Sequence, residues 1–161
     1  MVFALGSATV LLGLRDGDEY LLIAREDSTQ LIRVFLEVGT RVPLRASSAG
    51  CAMMARMEPS EVDELLKPEL EEFADTPVLT SEELRKEIVR TVKRGYALDM
   101  SSWYRPHVCS IGAAVTNAAG RPIAAVTLAV PQMRYARSQE KTFARMVVAA
   151  ADEISKLVAS A

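Results

Sequence analysis

The side chains in this sequence whose types could support chemistry are one histidine, two cysteines, one isolated aspartate and a few hydroxyls set among apolar neighbours. His107 is the only histidine, so a nucleophilic Ser/His/Asp set would have to be built on that residue alone. None of the patterns GxSxG, HExxH, CxxC or GxxxxGK[ST] occurs. A zinc site needs about three or four ligands, and His107, Cys109 and scattered carboxylates would supply them only by coincidence of folding. Neither a metal nor a cofactor is expected. Cys51 and Cys109 are far apart and sit in apolar company, which suits reduced core residues better than a disulfide framework.

Binding chemistry has more support. Ser47-Ser48-Ala49-Gly50 precedes a run of small and unbranched residues that favours a helix. Small residues at a helix start leave backbone N–H groups open to an anion such as a carboxylate, and they also allow tight packing of helix on sheet. Both readings stand at this point. Asp99 precedes a polar and aromatic segment, Met100 to His107, which could be a pocket lid or only an exposed loop. Ser110 and Thr127 are hydroxyls inside apolar runs, able to satisfy a buried ligand or to bond locally.

These residues must be positioned by a sheet and helices. Thr9–Leu14 and Glu19–Ala24 are β-prone runs flanking Asp16-Gly17, a hairpin signal because glycine accepts the positive φ of a tight turn. Leu31–Leu36 is expected as a third strand. A short serine-capped helix is expected over Cys51–Met57, ended by Pro59. A second helix follows from the capping-box spacing of Ser60 and Asp63, with Val62, Leu65 and Leu66 on one face. Thr80 and Glu83 repeat that spacing before Leu84, Ile88 and Val92, with Gly95 as the stop. Val108–Thr116 and Ile123–Val130 form a second hairpin around Asn117 to Arg121. A closing amphipathic helix carries Phe143, Met146, Val147, Ala150, Ile154, Leu157 and Val158. Strands that come in hairpins predict an α+β fold with a mainly antiparallel sheet.

Composition bounds the function. At 161 residues, one domain with its own core is the default. The net charge of -2, from 19 Lys+Arg against 21 Asp+Glu, leaves no excess of positive charge to neutralise phosphates, so this segment is not expected to bind DNA itself. Met1 to Gly6 is too short for a signal peptide and no apolar run has the length of a membrane span, which predicts a cytoplasmic protein with no membrane partner.

Four ordered stretches, Pro43 to Ala52, Lys93 to Asp99, Ser110 to Val115 and Ala124 to Pro131, resemble the successive signatures of the effector-binding domain of the IclR family of transcription regulators. The resemblance covers nearly the whole chain. It implies a GAF/profilin-like fold, in which helices pack on the faces of a curved antiparallel sheet, with a pocket for a small organic effector, often a carboxylic acid. It also implies self-association as dimers or tetramers. Carried across by motif, Ser48, Ala49 and Gly50 would give amide donors to the effector carboxylate, and Asp99 would lie at the pocket mouth. Ser110 and Thr127 would add polar contacts, and Leu31 and Val108 apolar wall. Cys51 stands where the family commonly has lysine, Ser110 where it often has cysteine, and Ala129, a further effector-site position, where it often has a small hydroxyl residue. Trp103, Tyr104 and His107 could then line a larger or more aromatic pocket, pointing to an aromatic or medium-sized carboxylate.

The resemblance further implies that residues 1–161 are an effector-binding domain whose winged helix-turn-helix has no counterpart before Met1, so that DNA is met only through that other domain. The function expected is ligand sensing and oligomerisation within a transcription regulator, not catalysis. Two alternatives stay open: a GAF-type thiol redox enzyme using Cys109 or Cys51, and an oligomerisation module without a ligand.

Overall fold

The computed structural model describes residues 6–70, 80–100 and 106–161. Its first strands, β1 (Thr9–Asp16) and β2 (Glu19–Glu26), pair antiparallel around Gly17, whose φ of 65° is the left-handed turn conformation that favours glycine. A bulge between Leu12 and Gly13 re-aims β2, and the Tyr20 ring lies where a Cβ on Gly13 would stand, 2.3 Å away. β3 (Arg41–Pro43) adds at the edge and runs into a 3₁₀ turn, Leu44–Ala46.

Helix α1 (Ser48–Met54) starts three residues before the expected Cys51, because Ser47 caps it: the Ser47 hydroxyl accepts from Gly50 N–H at 3.0 Å. α2 (Pro59–Leu66) begins at Pro59 rather than after it. Proline suits the first helical position, and Glu58 with Glu61, not Ser60 with Asp63, forms the capping box. α3 (Ser81–Arg94) carries the expected Thr80/Glu83 box and ends at Gly95, with φ 87°. β4 (Ala97–Met100) follows and was not legible as a strand, since four residues with one aspartate show little alternation. β5 (Val108–Thr116) and β6 (Pro122–Pro131) make the second hairpin, where Asn117 Oδ1 accepts from the Ala119 and Arg121 amides. The closing helix α4 is Glu140–Ala159.

The sheet order is β3-β2-β1-β6-β5-β4 and every neighbouring pair is antiparallel, giving the curled α+β sheet with helices on both faces that the resemblance implied. Period-two alternation divides β5 and β6 between two cores. Ile111, Ala113, Val126 and Leu128 pack on Phe143 and Val147 of α4, while Ala125, Leu11 and Leu22 pack on Ala49 and Met53 of α1. Behind α1, Cys51, Met54, Val62, Leu84 and Ile88 join α2 and α3 to it. By the same alternation Ser110, Gly112, Thr127 and Ala129 face α1 rather than α4.

The expected strand at Leu31–Leu36 is corrected. The segment lies in none of the strands, and the third strand is Arg41–Pro43. Side chains instead take its alternate carbonyls: Arg134 bonds Ile32 O, Thr9 Oγ1 donates to Val34 O at 2.7 Å, and Arg25 Nη1 donates to Leu36 O at 2.8 Å. A β-prone composition is thus met by a strap pinned on side chains, because β2 gives its outer edge to β3.

A Cβ on Gly50 would stand 1.8 Å from Leu44 O, which is backbone and cannot swing away. Gly50→Ala is expected to destabilise the fold by about 3 kcal/mol, the upper end of ordinary overpacking costs, read as a lowered urea midpoint with an unchanged slope.

Candidate functional site

The start of α1 sits directly on β5. Gly112 makes this possible, since a Cβ there would come within 2.8 Å of Ser48 O and 3.1 Å of Ala49 N. Ser48 and Ser110, both buried, then share a hydrogen bond at 2.8 Å between their hydroxyls. Beside this contact, between α1 and the sheet, lies a cavity of about 70 Å³. Leu11, Ser110, Thr127 and Ala129 form its floor and Ser48 and Ala49 one side. Val34 and Leu36 from the strap, with Val42 of β3, close the other.

Asp99 also lines the cavity and is only 6 % exposed. It pairs with Ser110 across β4 and β5, and Ser110 pairs with Ala129 across β5 and β6, so the three form one row on the sheet. Among the described lining residues Asp99 is the only charged side chain. Most hydroxyls around the cavity are engaged: Ser47 caps α1, Ser48 and Ser110 hold each other, and Tyr20 donates to Ala125 O at 3.4 Å. Thr127 differs. Its Oγ1 is buried without a partner in hydrogen-bonding geometry, even though the hydroxyl is near enough to Tyr20 to oppose the burial that pushes that phenol upward. An unpaired buried hydroxyl costs about 1–3 kcal/mol, so its retention is a pointer to something that binds it.

Seven of the sequence-expected residues come together here: Ser48, Ala49, Asp99, Val108, Ser110, Thr127 and Ala129. Three do not line this cavity. Gly50 directs its N–H to Ser47 and its Cα against Leu44, so tight packing, not ligand donation, accounts for it. Leu31 is 97 % exposed, and its expected place as apolar wall is taken by Val34. The strap's alternation turns Val34 and Leu36 inward and leaves Leu31 and Phe35 outside, with Phe35 under the Arg25 guanidinium. His107, at φ 62°, lines a neighbouring depression with Arg33 and Met133. Trp103 and Tyr104 lie outside the described residues. Leu11, Tyr20, Val34, Leu36, Val42 and Ala46 were missed. The alternation of the first hairpin could have flagged Leu11 and Tyr20 as inward-facing, but not which core they would enter.

Both cysteines are buried and free. Burial, opposed by the Thr91 hydroxyl at 3.5 Å and assisted by Glu87 and Asp99, pushes the Cys51 thiol up to about 12. Burial and Asp99 also raise Cys109. Among the described residues no three His, Cys, Asp or Glu side chains cluster as metal ligands, and no helix is long and apolar enough to cross a membrane.

Residues 4–156 match the family described as bacterial transcriptional regulator IclR C-terminal. The HTH-type transcriptional regulator BhcR of Paracoccus denitrificans is 30% identical over 148 residues, which are 91% of this chain and 53% of that protein. The chain therefore spans about half the length of this relative. In fold it is similar to the Thermotoga maritima IclR crystal structure, with TM-score 0.89 and 24% identity over 98% of this chain and 64% of that one. It is also similar to an IclR homolog from Microbacterium hydrocarbonoxydans complexed with 4-hydroxybenzoate, with TM-score 0.77 and 21% identity over 92% and 59% of the two chains.

A thiol raised this far stays protonated until the solution approaches its shifted pKa, and a buried one must wait for an opening of the fold. Iodoacetamide at about pH 8 is therefore expected to label Cys51 and Cys109 slowly in the native protein and rapidly in concentrated guanidinium. Mass spectrometry of timed aliquots checks it, and fast native labelling of either thiol would restore the redox reading.

Proposed function

The chain belongs to the IclR C-terminal family of bacterial transcriptional regulators, and we propose that it is the ligand-sensing domain of such a regulator, binding a small organic monocarboxylate between α1 and the sheet. The observation that carries this reading is the buried Thr127 hydroxyl, which no described residue meets in hydrogen-bonding geometry, in a cavity that also takes in the first residues of α1. In this reading the first-turn amides of Ser48 and Ala49 meet the carboxylate, the positive end of the helix favouring negative charge. Thr127 donates to the same ligand, Asp99 accepts from a hydroxyl or other donor on it, and Val34, Val42 and Val108 cover its apolar part. No described lining residue is cationic, so a second negative charge on the ligand would go uncompensated. The 4-hydroxybenzoate held by the Microbacterium hydrocarbonoxydans homolog is of this class, one carboxylate and one hydroxyl on an aromatic body, and supports it.

The domain then works as a switch without catalysis. An effector that binds one arrangement of subunits better than another shifts the population between them, within a dimer or tetramer in the cytoplasm. In this reading the regulator's DNA contact is the task of a separate winged helix-turn-helix unit. Buried thiols weigh against the redox alternative.

Thr127→Val tests the site. Titration calorimetry against 4-hydroxybenzoate and a panel of hydroxylated and plain monocarboxylates is expected to find a ligand whose affinity falls about tenfold or more in the variant. The variant itself should be as stable as the parent, or about 1 kcal/mol more so, because it removes an unpaired buried hydroxyl. Undiminished binding by the valine variant would overturn the assignment.

A further inference from the structure

The inner cavity does not stand alone. On the far side of Val34 and Val108 lies a wider depression of about 580 Å³, formed by the strap residues Ile32 and Arg33, by His107, and by Pro131 to Met133 after β6. Val34 and Val108 line both spaces. We infer that the two spaces are one binding site divided by the Val34–Val108 pair, so that the effector is longer than the inner cavity, with its polar head at Thr127 and an apolar tail lying in the outer depression. This rests on the function proposed above and adds the shape of the ligand to it.

Three observations carry it. The inner space, about 70 Å³, is the smaller of the two, and the outer, about 580 Å³, is lined mainly by apolar residues. The partition is movable in kind, because Val34 belongs to a strap fastened to the sheet by side-chain bonds from Thr9, Arg25 and Arg134 rather than by a strand ladder. The outer rim exposes Ile32 at 61 % and Met133 at 76 %, apolar side chains that a ligand tail would cover.

Straight-chain monocarboxylates from acetate to octanoate, titrated calorimetrically into the purified chain, read the length directly. Affinity is expected to rise with length past butanoate, by roughly three- to fourfold per methylene that reaches the outer depression. Ile32→Asp and Met133→Asp, both at exposed positions, should weaken octanoate by roughly tenfold and leave butanoate nearly unchanged. Thr127→Val should weaken both acids, which separates binding at this site from adsorption of octanoate elsewhere. Affinity that peaks at the short acids and falls at octanoate, or rim variants that act equally on both lengths, would overturn the inference and leave the sensing function in place. Failure of every straight-chain acid to bind the parent chain would overturn this inference, and failure of the hydroxylated panel as well would overturn the sensing function with it.

Discussion

The seating of α1 on β5 is the constraint on which the rest of the molecule depends. A helix backbone can approach a strand this closely only where the strand has no side chain, and Gly112 supplies that position, with Ser48 O lying where its Cβ would otherwise intrude. The same approach brings Ser48 within hydrogen-bond reach of Ser110 and presses Gly50 onto the Leu44 carbonyl. Three contacts made at one helix turn therefore set the height of α1 above the sheet. That height bears on the cavity directly, because Ser48 and Ala49 of α1 and Ser110, Thr127 and Ala129 of the sheet all line it.

The polar groups around the cavity follow an economy of their own. Tyr20, Ser47, Ser48 and Ser110 satisfy one another or the backbone, so they add rigidity without asking for a ligand. Thr127 is left over. Its position opposite Gly112 on β6 places it beneath the helix start, where no donor or acceptor from the described protein reaches it in good geometry. The strap adds a second asymmetry. Its carbonyls are held by side chains from β1, β2 and the turn after β6, so the cavity wall is tied to three separate parts of the fold. A wall of that kind is ordered yet less cooperative with the sheet than a strand would be.

Much of this was legible beforehand, for local reasons. Asp16-Gly17, the Thr80/Glu83 box, Gly95 and the serine cap of α1 each state a backbone requirement within three or four residues, and the structure meets each one. The same cannot be said of Leu31–Leu36, where composition pointed to a strand and the nearby edge was already occupied, nor of β4, which is a strand only because β5 offers it a partner. At the site, Ser110, Thr127 and Asp99 could be named from their chemistry and family pattern, whereas Leu11, Tyr20 and Val42 could not.

What the sequence by itself determined was the two hairpins, the four helices, most of their caps and turns, and the family, because those depend on period, spacing and residue type; it also named the polar residues of the candidate site. What only the tertiary structure decided was which of those groups remain unsatisfied and which side chain closes the pocket. Ser48 and Thr127 are alike as hydroxyls in a sequence. They differ once folded, since Ser110 lies 2.8 Å from one and no described residue takes up the other in hydrogen-bonding geometry. Leu31 and Val34 are likewise alike as apolar residues three apart, and only the pinning of the strap by Thr9, Arg25 and Arg134 turns one into solvent and the other into the wall.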